Sequence, residues 1–127
     1  MHWQERISSL ENLNGIEKLV EIMAMLRDPK HGCPWDLKQT FASIVPHTIE
    51  EAYEVADAIE KQDFDEIKKE LGDLLFQIVF YGQLGDEQQR FDLQTIADAM
   101  SEKLVRRHPH VFSSASFQSD AEINANW

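Results

Sequence analysis

The residues in this chain best equipped for chemistry are acids. Glu50, Glu51 and Glu54 crowd one helical turn, and Glu70 and Asp73 follow further on, set among Leu71, Leu74 and Leu75. Ionised carboxylates are costly beside apolar surface. At about 100° per residue, Glu50, Glu54 and Glu51 fall at about 0°, 40° and 100° around their helix. Ala58 continues that face, and Ala52, Ala56 and Ala58 are small enough to let a second helix approach closely. On the following helix Glu70, Gln77 and Asp73 lie at about 0°, −20° and −60°, with Leu74, Ile78 and Leu71 at about 40° to 100°. The acids therefore edge an apolar seam. If the two helices pack antiparallel, both acidic sets meet in one crevice.

Carboxylates brought together in this way repel one another and need protons, lysines or a metal to neutralise them. An all-oxygen, multi-carboxylate set suits Mg2+ or Mn2+. Magnesium keeps several waters and takes further ligands from substrate phosphates. The arrangement thus points to phosphoryl or pyrophosphoryl chemistry, in which the metal offsets phosphate charge and a spare carboxylate orients or deprotonates the attacking water. The competing reading is a solvated helix face whose acids pair with Lys61, Lys68 and Lys69. Spacing alone leaves both open.

Other chemistries find less support. No glutamate has a histidine three residues on, which removes the di-iron bundle pattern. His108 and His110 flank a proline and read as loop residues. The single Cys33 excludes an intramolecular disulfide and is too few for a cysteine zinc site. Neither Gly-x-x-x-x-Gly-Lys nor Gly-x-Gly-x-x-Gly occurs.

The elements that must position the acids are helical. The chain has 127 residues, enough for one domain with a real core, and 43% of them are hydrophobic. A formal charge of −11 opposes non-specific binding to nucleic acid, although it is equally served by a need for solubility. The longest apolar run, 74–82, is too short to span a bilayer, and the N-terminus lacks a secretory pattern. These features predict a cytoplasmic protein bound to neither membrane nor nucleic acid.

Apolar positions recur with helical spacing, and no segment alternates like a strand. The first helix is expected near 16–28, with Ile16, Leu19, Val20, Met23 and Leu26 on one face. Residues 30–36 read as a loop, with a short turn near 36–43. Pro46 suits the first turn of a second helix over 46–61. Asp63 and Glu66 form a capping-box pattern opening a third over 64–86. Asp92 is placed to cap a fourth over 93–106, which His108-Pro109 terminates. Ser119 and Glu122 open a short last one. The expected fold is all-α, with helices packed antiparallel. Residues 1–15 read as an N-terminal extension to a domain spanning 16–127. The chain stops at Trp127 inside a helical pattern, as a domain cut from something longer would.

Several stretches together carry a resemblance: 32-GCPWD-36 with Gln39-Thr40, 50-EEAYEV-55, 70-ELGDLLFQIVF-80, 102-EKLVRRHPHVF-112 and Trp127. Over about residues 16–127 the chain resembles the MazG family of nucleoside triphosphate pyrophosphohydrolases. It looks most like the first domain of a tandem-domain member. The resemblance implies a helical bundle whose four-helix core is completed by dimerisation or higher homo-oligomerisation. It implies Mg2+-dependent hydrolysis of nucleoside triphosphates to monophosphate and pyrophosphate, in a nucleotide-pool role. It makes Glu51, Glu54, Glu70 and Asp73 metal ligands, with Glu50 and Glu54 managing the water. Lys103 with Arg107, or Arg106 instead, would reach phosphate oxygens, and Trp35 or Trp127 would stack on the base. Many relatives carry His at the position of Tyr81. A tandem copy need not be active, so the alternative is a domain that dimerises and binds nucleotide or metal within a longer protein.

Overall fold

The computed structural model describes residues 2–113, 119–125 and 127. Among the described residues there is helix and no strand. The helices are α1 (Trp3–Ser9), α2 (Gly15–Leu26), α3 (Pro34–Leu37), α4 (Phe41–Glu60), α5 (Phe64–Glu87), α6 (Leu93–Arg107), α7 (Pro109–Phe112) and α8 (Asp120–Ala125), with a 3-10 turn at Leu10–Asn12 after α1. They form two compact units, Met1–Leu93 and Gln94–Trp127.

The centre of the first unit is the α4–α5 pair. Its geometry follows from the turn between them. Asp63 accepts a hydrogen bond from the Glu66 amide at 3.2 Å, the capping bond expected from the sequence. Gln62 takes a left-handed conformation at φ +55°. The Asp63 amide reaches back to the Ala58 carbonyl, and the Gln62 amide to that of Ile59. This Schellman-type ending satisfies the last carbonyls of α4 and reverses the chain, so α5 runs back antiparallel to α4. The same ending recurs after α5 at Gln89, φ +57°. There Gly82 and Gly85 clear the path of the returning chain: a methyl group on Gly85 would lie 2.4 Å from the Phe91 ring, and one on Gly82 3.0 Å from the Leu93 amide.

α4 begins five residues before the expected start. Thr40 and Ser43 cap it reciprocally, with bonds of 3.2 and 2.8 Å. Pro46 therefore lies inside the helix, not in its first turn. The expected turn near 36–43 is divided between α3 and the first residues of α4.

The core of this unit is Met23, Ile44, Val79, Phe80 and Leu84, with Leu19, Phe41, Leu75, Phe76, Tyr81 and Leu93 packed against it. Arg27 ties its loop side together. Its guanidinium grips the Glu87 carboxylate and donates to the carbonyls of Asp36 and Gln39. The sequence seam on α5 is partly corrected here: Leu71 is 47% and Ile78 39% exposed, while the buried stripe runs through Gln77, Val79, Phe80 and Leu84. On α2, likewise, Met23 is buried but Ile16 and Val20 are exposed.

Two substitutions test this account with opposite signs. F80A removes a fully buried ring and should cost about 3–5 kcal/mol. Q62G relieves a left-handed non-glycine residue and should stabilise the fold by about 0.5–1 kcal/mol. Urea denaturation measures both, and a destabilising Q62G would contradict the role given to the turn.

Candidate functional site

The α4–α5 pairing brings the acids of the two motifs together. One carboxylate oxygen each from Glu51, Glu70 and Asp73 lies within 4.8 Å of the other two. Glu51 and Glu70 are half-buried, and Asp73 is exposed. Glu50 and Glu54 lie on exposed positions of α4 and are not part of this close group. The three clustered acids come from the two helices of a hairpin, Glu51 from α4 and Glu70 and Asp73 from α5, so the rigid pair fixes their separation.

The electrostatics are those of an under-neutralised site. Burial pushes the Glu70 carboxyl up to about 7 from its ordinary 4.5. Hydrogen bonding with Glu51, the charges of Glu51 and Asp73, and a bond with Glu66 push the same way. A protonated Glu70 can donate to Glu51, which spares the pair a second negative charge. Glu51 Oε2 is nevertheless buried without a hydrogen-bond partner. Of the lysines that might have neutralised the acids, Lys61 pairs with Asp57 at 2.9 Å and Lys69 with Glu66 at 3.8 Å. Among the described residues no ion pair involves Glu50, Glu51, Glu54, Glu70 or Asp73. Three converging carboxylates, one with an orphaned buried oxygen, fit a hard divalent cation better than they fit a solvated salt-bridged face.

Gln77 and Tyr81 extend this contact line. The Thr48 and Tyr81 hydroxyls share a hydrogen bond of 2.6 Å across the helix pair. Between that bond and the acids on α5 stands Gln77, which is 9% exposed and has its Oε1 buried without a partner. Sequence reasoning set Gln77 on the acidic face but gave it no role. Its signal was its helical angle, between those of Glu70 and Asp73.

Trp35, on α3, is half exposed and meets His47 edge-on at 6.0 Å, so it is not a core residue. An apolar hollow lies in the same unit, lined by Trp3, Leu10, Ile22, Met25 and Cys33 beside His31. Its lining includes none of the acids discussed above.

In the second unit the basic candidates divide. Arg106 pairs with Glu102 at 3.6 Å on the surface of α6. Lys103 and Arg107, one turn apart, both lie over the Trp127 ring, at 5.1 and 5.6 Å from its centroid. Arg107 Nη1 is buried without a hydrogen-bond partner. His108 meets Trp127 edge-on at 6.1 Å and packs beside His110. Lys103, Arg107 and Trp127 are thus one cluster, held by cation–π contacts within the unit.

The chain is similar to known proteins. The MazG nucleotide pyrophosphohydrolase domain family matches residues 39–112. A nucleoside triphosphate pyrophosphohydrolase of Escherichia coli is 56% identical over 115 residues, which cover 91% of this chain and 44% of that protein. The nucleoside triphosphate pyrophosphohydrolase/pyrophosphatase MazG of Thermotoga maritima is 48% identical over 99 residues, covering 78% of this chain and 38% of that protein. The chain therefore spans less than half the length of these relatives. The crystal structure of a mazG-related protein from Thermotoga maritima superimposes with a TM-score of 0.70 at 27% identity, covering 88% of this chain and 95% of that one. With the motif acids assembled on one helix pair and the family pattern matched over more than half its length, this chain belongs to the MazG nucleotide pyrophosphohydrolase family.

Proposed function

We propose that this domain hydrolyses nucleoside triphosphates to nucleoside monophosphate and pyrophosphate with the help of Mg2+. The observation that carries the reading is the convergence of Glu51, Glu70 and Asp73 without a cationic partner. These three would hold the ion, and Glu54, exposed one turn along α4, would complete the set from the solvent side. When bound, the ion supplies positive charge against the triphosphate and polarises its phosphorus.

The chain's own groups do the rest. Glu50 or Glu54 accepts the proton of the attacking water, whose oxygen bonds to the α-phosphorus as the bond to the bridging oxygen breaks and pyrophosphate leaves. Lys103 and Arg107 take phosphate charge in place of their contact with Trp127, with Arg106 the alternative donor. Trp35 or Trp127 stacks on the base. The exposed apolar residues of α4 and α5, Ile49, Tyr53, Leu71 and Ile78, support a second copy as partner, because they lie outside the buried core. Sedimentation should accordingly give at least twice the monomer mass, and Y53E should reduce it.

A second reading has its own support. Relatives more than twice as long leave room for another domain that does the chemistry while this one dimerises and binds ligand. Pyrophosphate release from a panel of ribo- and deoxyribonucleoside triphosphates, with and without Mg2+, separates the two. The expected result is metal-dependent release that falls roughly 100-fold or more in E54Q and in D73N. Silence across the panel from folded, Mg2+-binding protein would favour the non-catalytic reading.

Glu70 gives a test that needs no substrate. Below about pH 4.5 it is protonated in both folded and unfolded chains. Between 4.5 and about 7 the folded protein keeps a proton that the unfolded chain has released, so stability falls as pH rises, and the loss is complete above about 7. In EDTA, E70Q should therefore gain melting temperature relative to wild type as pH goes from 5 to 8. Adding Mg2+ at pH 8 should raise the melting temperature of wild type and leave E70Q nearly unmoved. Parallel melting profiles for the two proteins would remove Glu70 from the site.

A further inference from the structure

The cation reading leaves one buried group unexplained. Gln77 is nine-tenths buried in the first unit, yet its carboxamide oxygen has no hydrogen-bond partner. A buried acceptor left unmade costs the fold free energy, so an amide at this position is a poor choice for packing alone. Its place in the helix pair is defined from both sides. On α5 it follows Asp73 by four residues and precedes Tyr81 by four, so the three side chains occupy one stripe. On α4 the facing residues are Thr48, bonded to Tyr81, and Glu51, clustered with Asp73. Gln77 therefore sits on the rung between the hydroxyl pair and the carboxylates. Glu51 Oε2, one of those carboxylate oxygens, is orphaned in the same way.

We propose that Gln77 is a neutral positioning residue of the cation site, its carboxamide oxygen accepting a hydrogen bond from the water shell of a hydrated Mg2+ held by Glu51, Glu70 and Asp73. This rests on the cation reading above and adds a residue to it. A hydrated magnesium ion presents several water hydrogens that need acceptors. Further carboxylates would supply acceptors at the price of more repulsion among charges already crowded together. A carboxamide supplies the acceptor without charge, and partners of this kind orient the direct ligands and sustain affinity.

The test is Q77L, read by calorimetric titration with Mg2+ alone and by thermal melting in EDTA at pH 8. Leucine keeps the approximate volume and removes the orphaned oxygen. The expected result is Mg2+ affinity weakened about 10-fold or more, with no fall in melting temperature in EDTA. An amide serving only to fill the core would give the reverse: lower melting temperature and unchanged affinity. Affinity within threefold of wild type overturns the proposal whatever the melting temperature. If Q77L does not fold, Q77N decides instead, because it keeps the amide but withdraws it by one methylene, and the same weakening is expected. Wild-type protein that shows no response to Mg2+ would overturn the cation reading itself, and this assignment with it.

Discussion

Repulsion between carboxylates that the backbone forces together is the constraint on which the rest of this structure turns. Glu51, Glu70 and Asp73 cannot separate, because they are anchored to two helices joined by a three-residue turn and packed along their length. In water such acids would spread apart and pair with lysines. Here Lys61 and Lys69 serve Asp57 and Glu66, and Glu70 keeps its proton to about neutrality. The helix pair thus holds a local charge density that only a proton or a cation can settle. Everything that stiffens the pair, from the Gln62 turn to the Phe80 core, also maintains that density.

The stiffness has identifiable sources. The buried stripe of α5, centred on Val79 and Phe80, packs against Met23 of α2 and Ile44 of α4. Arg27 then fixes the far end of α5 to α3 and the residues after it, through Glu87 on one side and the Asp36 and Gln39 carbonyls on the other. Hydrogen bonding from Arg27 holds Glu87 below the usual carboxylate range, against the contrary pull of burial. A bidentate arginine bridge of this kind fixes orientation as well as distance. The acids sit at the opposite end of α5 from this bridge, so the helix acts as a strut between the anchored α3 segment and the carboxylates.

Much of this was legible in the sequence, for reasons that can be assigned. Asp63 as a cap, the end of α6 before His108-Pro109, and the meeting of Glu51 with Glu70 and Asp73 all follow from local chemistry or helical angle. The start of α4 did not, because proline suits a first turn and Pro46 outweighed the less familiar Thr40–Ser43 cap. Nor did the choice of buried face on α5. That helix is apolar on more than one side, and periodicity cannot distinguish a surface that meets the core from one such as Leu71 and Ile78 that is left exposed. The clustering of Trp127 with Lys103 and Arg107 was also beyond reach, since residues so far apart in sequence meet through tertiary packing that helical spacing does not encode. Sequence spacing grouped the two cations but could not supply the ring that covers them.

The unmatched polar groups of the first unit are not scattered. A raised carboxyl, an orphaned carboxylate oxygen and an orphaned amide oxygen fall within about three helical turns of one helix pair. Each is unfavourable by itself, and apolar or salt-bridged replacements would make a more stable hairpin. Local conflicts of this type persist where a site needs them and the surrounding core can bear them. Their signs also agree: all are acceptors lacking donors, or negative charge lacking positive. A site short of anion ligands would show the opposite pattern. The deficit in this helix pair is specifically one of positive charge and hydrogen-bond donors, the two things that a hydrated divalent cation brings together.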